Sequence, residues 1–338
     1  MYNAEKNLQV SVIIPVKNGN KTLGACLRSI KRSYFKNIEI LVVDDHSTDN
    51  SVEIAESYNC KVLQSSEGDG ANRARNFGAK NAKGEILIFL DSDVEVRSDT
   101  IQTIVETLET GNVDAVVGVY SAQHRNENIV SQYKNLWIRF SYLKSPPAID
   151  WLFGAVSGIK RDAFEKIGGF NVELLAHKGH DDIELGKRFA QANLNIALNV
   201  DVEVEHLKHY TLCSFIKNEF HRSSGFAELA TKLGETTQSL KHGFVNVYPV
   251  FIISTIFTVV LIGILLLSIF GKISYWFLAG GFGLYLIANI RFLNYLEQAR
   301  GLFAMLVMIP ILFLDHIVCF VGSVIGVIKS FVKIHTKR

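Results

Sequence analysis

The chain has almost no excess charge of either sign, and this argues against a nucleic-acid partner. Its 338 residues include 35 Lys and Arg against 33 Asp and Glu, a formal net charge of +2. A protein that binds DNA or RNA usually carries a basic surface, which this balance does not supply. We therefore expect no nucleic-acid partner.

Cysteine is also scarce. The four cysteines, Cys26, Cys60, Cys213 and Cys319, form no CxxC pair and no closely spaced framework. This excludes a small disulfide-stabilised domain and favours a reducing, cytosolic environment for the first part of the chain. The N-terminus lacks the apolar core of a signal peptide, so we expect that this part is not exported.

What the sequence has in abundance is apolar residues near its end. They make up 48% of the chain, and the excess lies almost entirely after about residue 244. Three apolar segments cover about 246–270, 273–290 and 302–328. A helix needs about 20 apolar residues to cross a bilayer core, so the first and third are long enough and the second is marginal. We expect an integral membrane protein with a membrane domain over 244–338.

The third apolar segment poses a topology problem. Asp315 and His316 interrupt it, and such a polar pair is costly in a membrane unless it is buried or functional. If the first domain is cytosolic, three spans place a basic tail outside, against the positive-inside bias. That tail contains Lys329, Lys333, Lys337 and Arg338. Either 302–328 is a re-entrant hairpin, or three spans hold and the tail breaks the rule.

The first 120 residues alternate short apolar strands with amphipathic helices. Strands are predicted at Val10–Val16, Ile38–Val43, Lys61–Gln64, Ile86–Leu90 and Ala115–Val119. Helices are predicted at Lys21–Arg32, Ser51–Tyr58, Ala71–Ala82 and Thr100–Thr110. Such alternation predicts an α/β fold with a mostly parallel sheet and helices on both faces.

Residues 120–210 are less regular, and we interpret them as the second half of the same domain, which then covers 1–210. Strands are predicted at Gly154–Ile159, Leu194–Leu198 and Val200–His206, and helices at Arg161–Ile167 and His180–Ala192. Residues 211–243 would link this domain to the membrane. Their apolar residues over Leu212–Leu233 fall partly at helical spacing, which favours a helix at the bilayer surface over ordinary packing against the domain.

Carboxylates follow two of the predicted strands. Asp91 and Asp93 come directly after Ile86–Leu90, and Asp44 and Asp45 follow Ile38–Val43. Ligands in open α/β sheets bind at the carboxyl ends of the strands. The Asp91–Asp93 pair offers hard oxygen atoms suited to Mg²⁺ or Mn²⁺ carrying phosphates, although a solvated turn is the alternative.

Taken in order, the motifs resemble those of family 2 glycosyltransferases, which have the GT-A fold, over roughly residues 9–210. The early motifs are Val12-Ile13-Ile14-Pro15-Val16-Lys17-Asn18, Val42-Val43-Asp44-Asp45, Ala74-Arg75-Asn76-Phe77-Gly78 and Asp91-Ser92-Asp93. The later ones are Gly168-Gly169-Phe170, His180-Asp181-Asp182-Ile183-Glu184-Leu185 and Val204-Glu205-His206. The resemblance extends loosely to members with C-terminal membrane helices.

The resemblance implies a donor site for a nucleotide-diphosphate sugar and a divalent cation. Residues matching the donor site are Pro15, Val16, Asn18, Asp45, Arg75, Asp91 and Ser92. Asp93 would bind Mn²⁺ or Mg²⁺ directly, with Asp91 and His206 as further metal residues. A structural salt bridge is the alternative role for Arg75, and a strand-end polar residue is the alternative for His206.

The resemblance also implies an acceptor region and a catalytic base. Asp182 matches the carboxylate that removes the acceptor hydroxyl's proton, with plain helix capping as the alternative. The family usually has a Glu directly before this carboxylate, and here Asp181 takes its place. Trp151 and Gly154 lie where relatives line the acceptor pocket, although Trp151 suits the core equally. Processive synthases carry a Gln-x-x-Arg-Trp motif in this region, and this chain has only its Arg, Arg222. The missing residues argue against a polymerising enzyme.

Together these features predict an inverting, metal-dependent glycosyltransferase. Its partners would be a nucleotide-diphosphate sugar, a lipid or lipid-linked acceptor, and membrane lipids. It would lie in a membrane, the plasma membrane in a prokaryote, with its catalytic domain in the cytoplasm. Transfer to a glycolipid or a cell-surface polysaccharide precursor is an alternative, and so is a catalytically degenerate membrane scaffold.

Overall fold

The computed structural model describes residues 9–65, 70–172, 181–232, 234 and 247–336, with side chains up to Val332. These residues form two compact units. The first contains residues up to 125, together with 145–172 and 181–208. The second contains residues 126–144 and those from 209 onward. Residues 126–144 thus group with the C-terminal helices, whereas the sequence analysis assigned them to the domain at 1–210.

In the described residues, nine strands form one sheet and twelve helices accompany them. The strands are β1 Val10–Val16, β2 Ile38–Asp44, β3 Lys61–Gln64, β4 Ile86–Leu90, β5 Val94–Val96, β6 Ala115–Tyr120, β7 Ala148–Ile149, β8 Val156–Lys160 and β9 Ile196–His206. Helices of the first unit and its neighbours in sequence are α1 Leu23–Lys31, α2 Ser51–Ser57, α3 Ala71–Asn81, α4 Thr100–Thr110, α5 Ile129–Leu143, α6 Arg161–Lys166 and α7 Asp181–Gln191. The later helices are α8 Leu212–Lys232, α9 Pro249–Ile269, α10 Tyr275–Ala288, α11 Ile290–Arg300 and α12 Leu302–Thr336.

The sheet of the first unit has the order β3-β2-β1-β4-β8-β6-β9-β5, with β7 also paired to β9. Strands β3, β2, β1 and β4 are parallel neighbours. Strand β8 runs antiparallel between β4 and β6, and β6 pairs parallel with β9. Every residue of β1, β4 and β6 is buried, as expected of continuous apolar strands covered on both faces. The predicted α/β fold with a mostly parallel sheet is confirmed.

Two differences from the predicted elements concern the paired strands β5 and β9. Strand β5 was not predicted from the sequence; its three residues pair antiparallel with the end of β9. Two separate strands, Leu194–Leu198 and Val200–His206, were predicted where β9 lies. The structure has one strand there, whose register with β6 shifts between Val117 and Val119. At that shift a Cβ on Gly118 would lie 2.3 Å from the Val202 carbonyl oxygen, so only glycine fits.

In the second unit, α12 is one helix of 35 residues. The re-entrant hairpin considered for 302–328 is therefore wrong. Asp315 and His316 are both fully buried, and each has a partner. The Tyr133 hydroxyl donates to Asp315 Oδ2 at 2.8 Å, and the Tyr285 hydroxyl hydrogen-bonds to His316 Nδ1 at 2.7 Å. These bonds satisfy a polar pair that would otherwise destabilise an apolar helix.

The other two apolar segments differ from each other. The first forms α9, of 21 residues, whereas the second forms α10, which is bent by 67° from α11 at Asn289. In the described part of the chain, α9 and α12 over Leu302–Val332 are long and apolar enough to cross a membrane. The bent pair would be a third if it were counted as one span.

Helix α8 packs closely along α12. A Cβ on Gly322 would lie 2.1 Å from Ser223 Oγ, and one on Gly326 would lie 2.0 Å from the Ser224 carbonyl oxygen. Glycines four residues apart therefore let the two backbones approach, as small residues do in membrane helix pairs. The predicted location of α8 at a bilayer surface stays a prediction.

Candidate active site

The carboxyl ends of β1, β2 and β4 meet around a small cavity of about 150 Å³. The parallel register sets Val16 opposite Asp44, and the Asp45 amide donates to the Val16 carbonyl at 2.8 Å. The cavity lining consists of Pro15, Val16, Lys17, Asp45, Ala71, Asp91, Ser92 and Asp93. Of the seven residues predicted to bind the nucleotide-sugar, five are therefore brought together here.

Asp45 is buried and accepts hydrogen bonds from the Gly70 amide at 3.0 and 3.1 Å. The Lys17 ammonium lies 3.8 Å from the same carboxylate. Asn18, in contrast, is not among the cavity residues. Its side-chain oxygen accepts from the Thr48 amide at 2.8 Å, so it ties the loop after β1 to the loop after β2.

Arg75, in the middle of α3, contacts one carboxylate that follows β4 and another at the start of α7. Its Nη2 lies 2.9 Å from Asp91 Oδ1, and its Nη1 lies 3.3 Å from Asp181 Oδ2. The guanidinium is buried and also lies over the Phe170 ring. Burial raises the pKa of Asp91, and Arg75 offsets part of that rise. The salt-bridge role considered for Arg75 is thus present, and it fixes the position of Asp91 at the cavity.

Asp182 is the second residue of α7 and lies beside this ion pair. Its Oδ2 accepts a hydrogen bond from the Gly154 amide at 2.8 Å, whereas its buried Oδ1 has no partner within the described part of the chain. A Cβ on Gly154 would lie 2.9 Å from both Asp182 Oδ2 and Arg75 Nη2, so glycine is needed for this approach. Burial and the neighbouring Asp181 raise the pKa of Asp182 to about 7. A carboxylate with such a pKa suits general-base catalysis near neutral pH.

Asp93 and His206 meet where β5 and β9 pair. Val94 lies opposite His206, and His206 Nε2 is 3.7 Å from Asp93 Oδ2. Burial raises the pKa of Asp93, but the adjacent His206 imidazole lowers it by more, so the pKa lies below its ordinary value. A partly exposed carboxylate and an imidazole on one edge are a donor set that fits Mn²⁺. Asp91, on the other side of Ser92, is the third predicted metal residue.

Two residues predicted for the acceptor region, Trp151 and Arg222, are engaged in packing and in an ion pair. Trp151 is only 3% exposed, which supports its alternative role in the core. Arg222 belongs to the second unit, where Glu219 Oε2 accepts from its Nη2 at 2.6 Å and its Nε at 3.0 Å. The guanidinium also lies 4.5 Å from the Trp137 ring centroid.

Glu219 is at the centre of a buried charged cluster in the second unit. Donor atoms of Glu219, Asp315 and Cys319 lie within 4.8 Å of one another, a spacing that a metal site would also have. However, Lys134 Nζ lies 2.5 Å from Glu219, and Arg222 occupies its other oxygen. Two cations already neutralise these acids, so we interpret the cluster as an ion-pair network.

Three residues of this region were not predicted from the sequence. Lys17 and Ala71 line the cavity, and both stood inside or beside motifs that had been identified. Tyr120 ends β6 and stacks on His206, with 4.4 Å between ring centroids. No local pattern marks Tyr120, because its contact depends on the pairing of β6 with β9.

Comparison with known proteins shows which families and folds the chain is similar to. The model of "Glycosyl transferase family 2" matches residues 11–168, and that of "N-terminal domain of galactosyltransferase" matches residues 134–211. Glycosyltransferase GlyG of Streptococcus pneumoniae is 37% identical over 33% of this chain and 38% of its own length. Glycosyltransferase AglE of Haloferax volcanii is 30% identical over 57% of this chain and 65% of its own. The chain thus spans less than two thirds of either relative.

Solved structures share the fold. The mannosyltransferase PcManGT from Pyrobaculum calidifontis, in complex with GDP-Man and Mn²⁺, superposes with a TM-score of 0.56 at 18% identity, covering 96% of this chain and 87% of its own. Glucosyl-3-phosphoglycerate synthase from Mycobacterium tuberculosis superposes with a TM-score of 0.50 at 19% identity. The match covers 67% of this chain and 80% of the synthase. Fold and site together define a glycosyltransferase with the GT-A fold. The family model assigns residues 11–168 of the chain to the family 2 glycosyltransferases.

Proposed function

We propose that this glycosyltransferase moves a sugar from a nucleotide-diphosphate donor to a lipid or lipid-linked acceptor, with inversion at the anomeric carbon. The acceptor hydroxyl attacks the anomeric carbon while Asp182 takes its proton, and the nucleotide diphosphate leaves. The reaction takes place at the cytosolic face of a membrane.

The observation that carries this proposal is the state of Asp182. One oxygen is fixed by the Gly154 amide, and the other is buried with no hydrogen-bond partner among the residues that the structure describes. A buried acceptor atom without a donor is costly, so it marks a place where a substrate group completes the hydrogen bonding. With a pKa raised to about 7, this oxygen is able to accept a proton from a hydroxyl and to release it again.

The donor would lie along the strand-end cavity. Asp45 is suited to accept hydrogen bonds from the base or ribose, and Arg75 fixes Asp91 toward the diphosphate. Asp93 and His206 would hold the divalent cation. When bound, the cation neutralises charge that develops on the departing diphosphate. Two structures with this fold were solved with Mn²⁺ and a nucleotide sugar, which supports a metal-dependent reaction here.

A lipid acceptor is supported by the C-terminal helices. Helices α9 and α12 are long and apolar enough to cross a membrane. An enzyme held at a bilayer meets lipid acceptors that are confined to the same plane, which raises their local concentration. The free Cys26 and Cys60 in the first unit are consistent with a cytosolic catalytic domain.

The test is a screen of radiolabelled nucleotide-sugars against membrane lipid extract, with and without EDTA. We expect one donor to label an organic-soluble product, with EDTA and Asp93→Ala each abolishing the labelling while the protein stays folded. The anomeric configuration of the product, measured by NMR, should be opposite to that of the donor. Labelling that persists at the full rate in Asp93→Ala would contradict the metal assignment, and label found only in water-soluble glycan would contradict the lipid acceptor.

A further inference from the structure

The segment Leu152–Ala155, between β7 and β8, is fixed to both sides of the proposed reaction site. On the side of the base, its first amide donates to the Asp182 carbonyl at 3.1 Å, and the Gly154 amide donates to Asp182 Oδ2 at 2.8 Å. On the side of the donor cavity, its last carbonyl accepts from the Asp91 amide at 3.4 Å. The backbone therefore holds Phe153 between the proposed base and the donor cavity.

The side chain of Phe153 is partly exposed, unlike those of its neighbours. Leu152 and Ala155 are 3% and 2% exposed, and Trp151 is 3% exposed. The aromatic ring of the predicted acceptor region that a ligand is able to contact is therefore Phe153 rather than Trp151. An exposed aromatic ring beside a buried carboxylate offers a ligand an apolar face and a hydrogen-bond acceptor together.

The Phe153 ring also contacts the aromatic residues of the proposed metal site. Its centroid lies 5.0 Å from that of Tyr120, with 67° between the planes, and Tyr120 in turn stacks on His206. The face of an aromatic ring is electron-rich, and the C–H groups on one face of a sugar ring carry small positive charges. A sugar ring therefore stacks well on an exposed aromatic side chain. Stacked on Phe153, it would bring its hydroxyls to the end of the site that holds Asp182.

The charges around Asp182 restrict which group of the ligand lies there. Within the described residues, the charged groups that act most strongly on Asp182 are Asp181, Arg75 and Asp91. Arg75 is the single cation of the three, and its two terminal nitrogens already pair with Asp91 and Asp181. A phosphate brought to Asp182 would add an anion to a buried group of carboxylates, where like charges repel more strongly than in water. An uncharged hydroxyl has no such cost.

We propose that the acceptor presents a sugar ring, which stacks on Phe153 and directs one uncharged hydroxyl to Asp182 Oδ1. This inference rests on the proposed function, and it narrows the acceptor to a lipid-linked sugar rather than a lipid phosphate. In the transfer step the hydroxyl oxygen bonds to the anomeric carbon while the bond from that carbon to the diphosphate oxygen breaks. The hydroxyl proton goes to Asp182, and the nucleotide diphosphate leaves with the electron pair.

The acceptor class is tested with the full-length protein in nanodiscs, the labelled donor that the screen identifies, and membrane lipid extract treated in two ways. Periodate, quenched before the assay, oxidises the vicinal diols of sugar rings and leaves prenyl phosphates intact. A phosphomonoesterase removes the phosphate of prenyl phosphates and leaves lipid-linked sugars intact. We expect periodate to abolish the labelling and the phosphatase to leave it unchanged. Labelling that survives periodate and is lost with the phosphatase would overturn the inference.

Two purified lipids without a sugar ring are the controls for these treatments. Farnesyl phosphate represents the prenyl phosphates and should give no product. Phosphatidylglycerol has a glycerol diol that periodate also oxidises, and it too should give no product. Transfer to either lipid would overturn the inference. Untreated extract that is not labelled with any donor would contradict the proposed function itself, so the two failures are distinguishable.

The role of Phe153 is tested by variants that keep or remove the ring. Phe153→Leu keeps an apolar side chain and should raise the apparent KM for the lipid acceptor by a few-fold to about tenfold, with the donor KM unchanged. Phe153→Tyr keeps the ring and should retain the wild-type acceptor KM. Phe35→Leu, at a partly exposed position between α1 and β2, is the control and should change neither KM. An unchanged acceptor KM in Phe153→Leu, or an equal rise in the donor KM, would overturn the inference.

Discussion

The ring of Tyr120 stacks on the imidazole of His206, with 4.4 Å between centroids and 6° between planes. Tyr120 is the last residue of β6, and His206 is the last residue of β9. The stack restricts rotation of the imidazole, so Nε2 stays directed toward Asp93 at 3.7 Å. Tyr120 is therefore a positioning residue for the proposed metal site.

Replacing Tyr120 should weaken Mn²⁺ binding only if the aromatic ring is lost. We expect Tyr120→Leu to weaken Mn²⁺ binding by a few-fold to about tenfold, because an aromatic pair contributes roughly 0.5–1.5 kcal/mol. Tyr120→Phe keeps the ring and should bind Mn²⁺ nearly as well as the wild type. Titration calorimetry with MnCl₂ measures both. If Leu and Phe have equal effects, the stack does not position His206.

Arg75 should affect the pH dependence of catalysis as well as its rate. Its charge lowers the pKa of Asp182, against the effects of burial and Asp181. In Arg75→Gln that pKa should rise above about 7, so the acidic limb of the kcat/KM profile should move to higher pH. Arg73→Gln on the same helix, whose side chain has no ion pair among the described contacts, is the control. A lower rate with an unshifted profile would mean that Arg75 acts only through structure.

Gly154 should not tolerate a side chain. A Cβ there would lie 2.9 Å from both Arg75 Nη2 and Asp182 Oδ2, so Gly154→Ala should displace one of them. We expect kcat to fall by about 10²-fold or more, as misplacement of reacting groups by about 1 Å does. The control is Gly24→Ala, whose Cβ would make an ordinary contact of 3.7 Å with Ile54. Comparable activity of the two variants would show that the acceptor-side geometry is looser than described.

Asp182 should make the protein less stable as the pH rises. Its folded-state pKa of about 7 lies above the ordinary 3.8, so between these values the folded state binds a proton that the unfolded state does not. The free energy of unfolding should therefore decrease from about pH 4 to pH 7. Asp182→Asn should remove this dependence and raise the stability at pH 8 by on the order of 1 kcal/mol. Urea unfolding at pH 5 and pH 8 measures it, and a variant less stable than wild type at pH 8 would contradict the assigned pKa.

The sequence predicted the first unit well because its signals are local. Strands such as Lys61–Gln64 and Ile86–Leu90 are bounded by polar residues, and the parallel order follows from their alternation with helices. The carboxylates at strand ends were predictable for the same reason. The family resemblance supplied Arg75 and Asp182, which no local pattern would have selected.

What the sequence did not predict depends on distant contacts. Helix α5 was missed, and its Tyr133 is the donor that lets Asp315 remain inside the continuous helix α12. The bend at Asn289 coincides with a buried hydrogen bond from its side chain to Ser254 Oγ. Tyr120 escaped notice because only the sheet brings it to His206. In each case the partner lies more than 30 residues away, beyond the reach of periodicity.

The proposed reaction depends most on Asp182 as the base that takes the proton of the acceptor hydroxyl. The most direct measurement compares wild type with Asp182→Asn for Mn²⁺-dependent binding of the donor and for single-turnover transfer. We predict an unchanged Kd for the donor and a transfer rate lower by about 10²–10⁴-fold, the usual contribution of a general base. Transfer at the wild-type rate in Asp182→Asn would contradict the account.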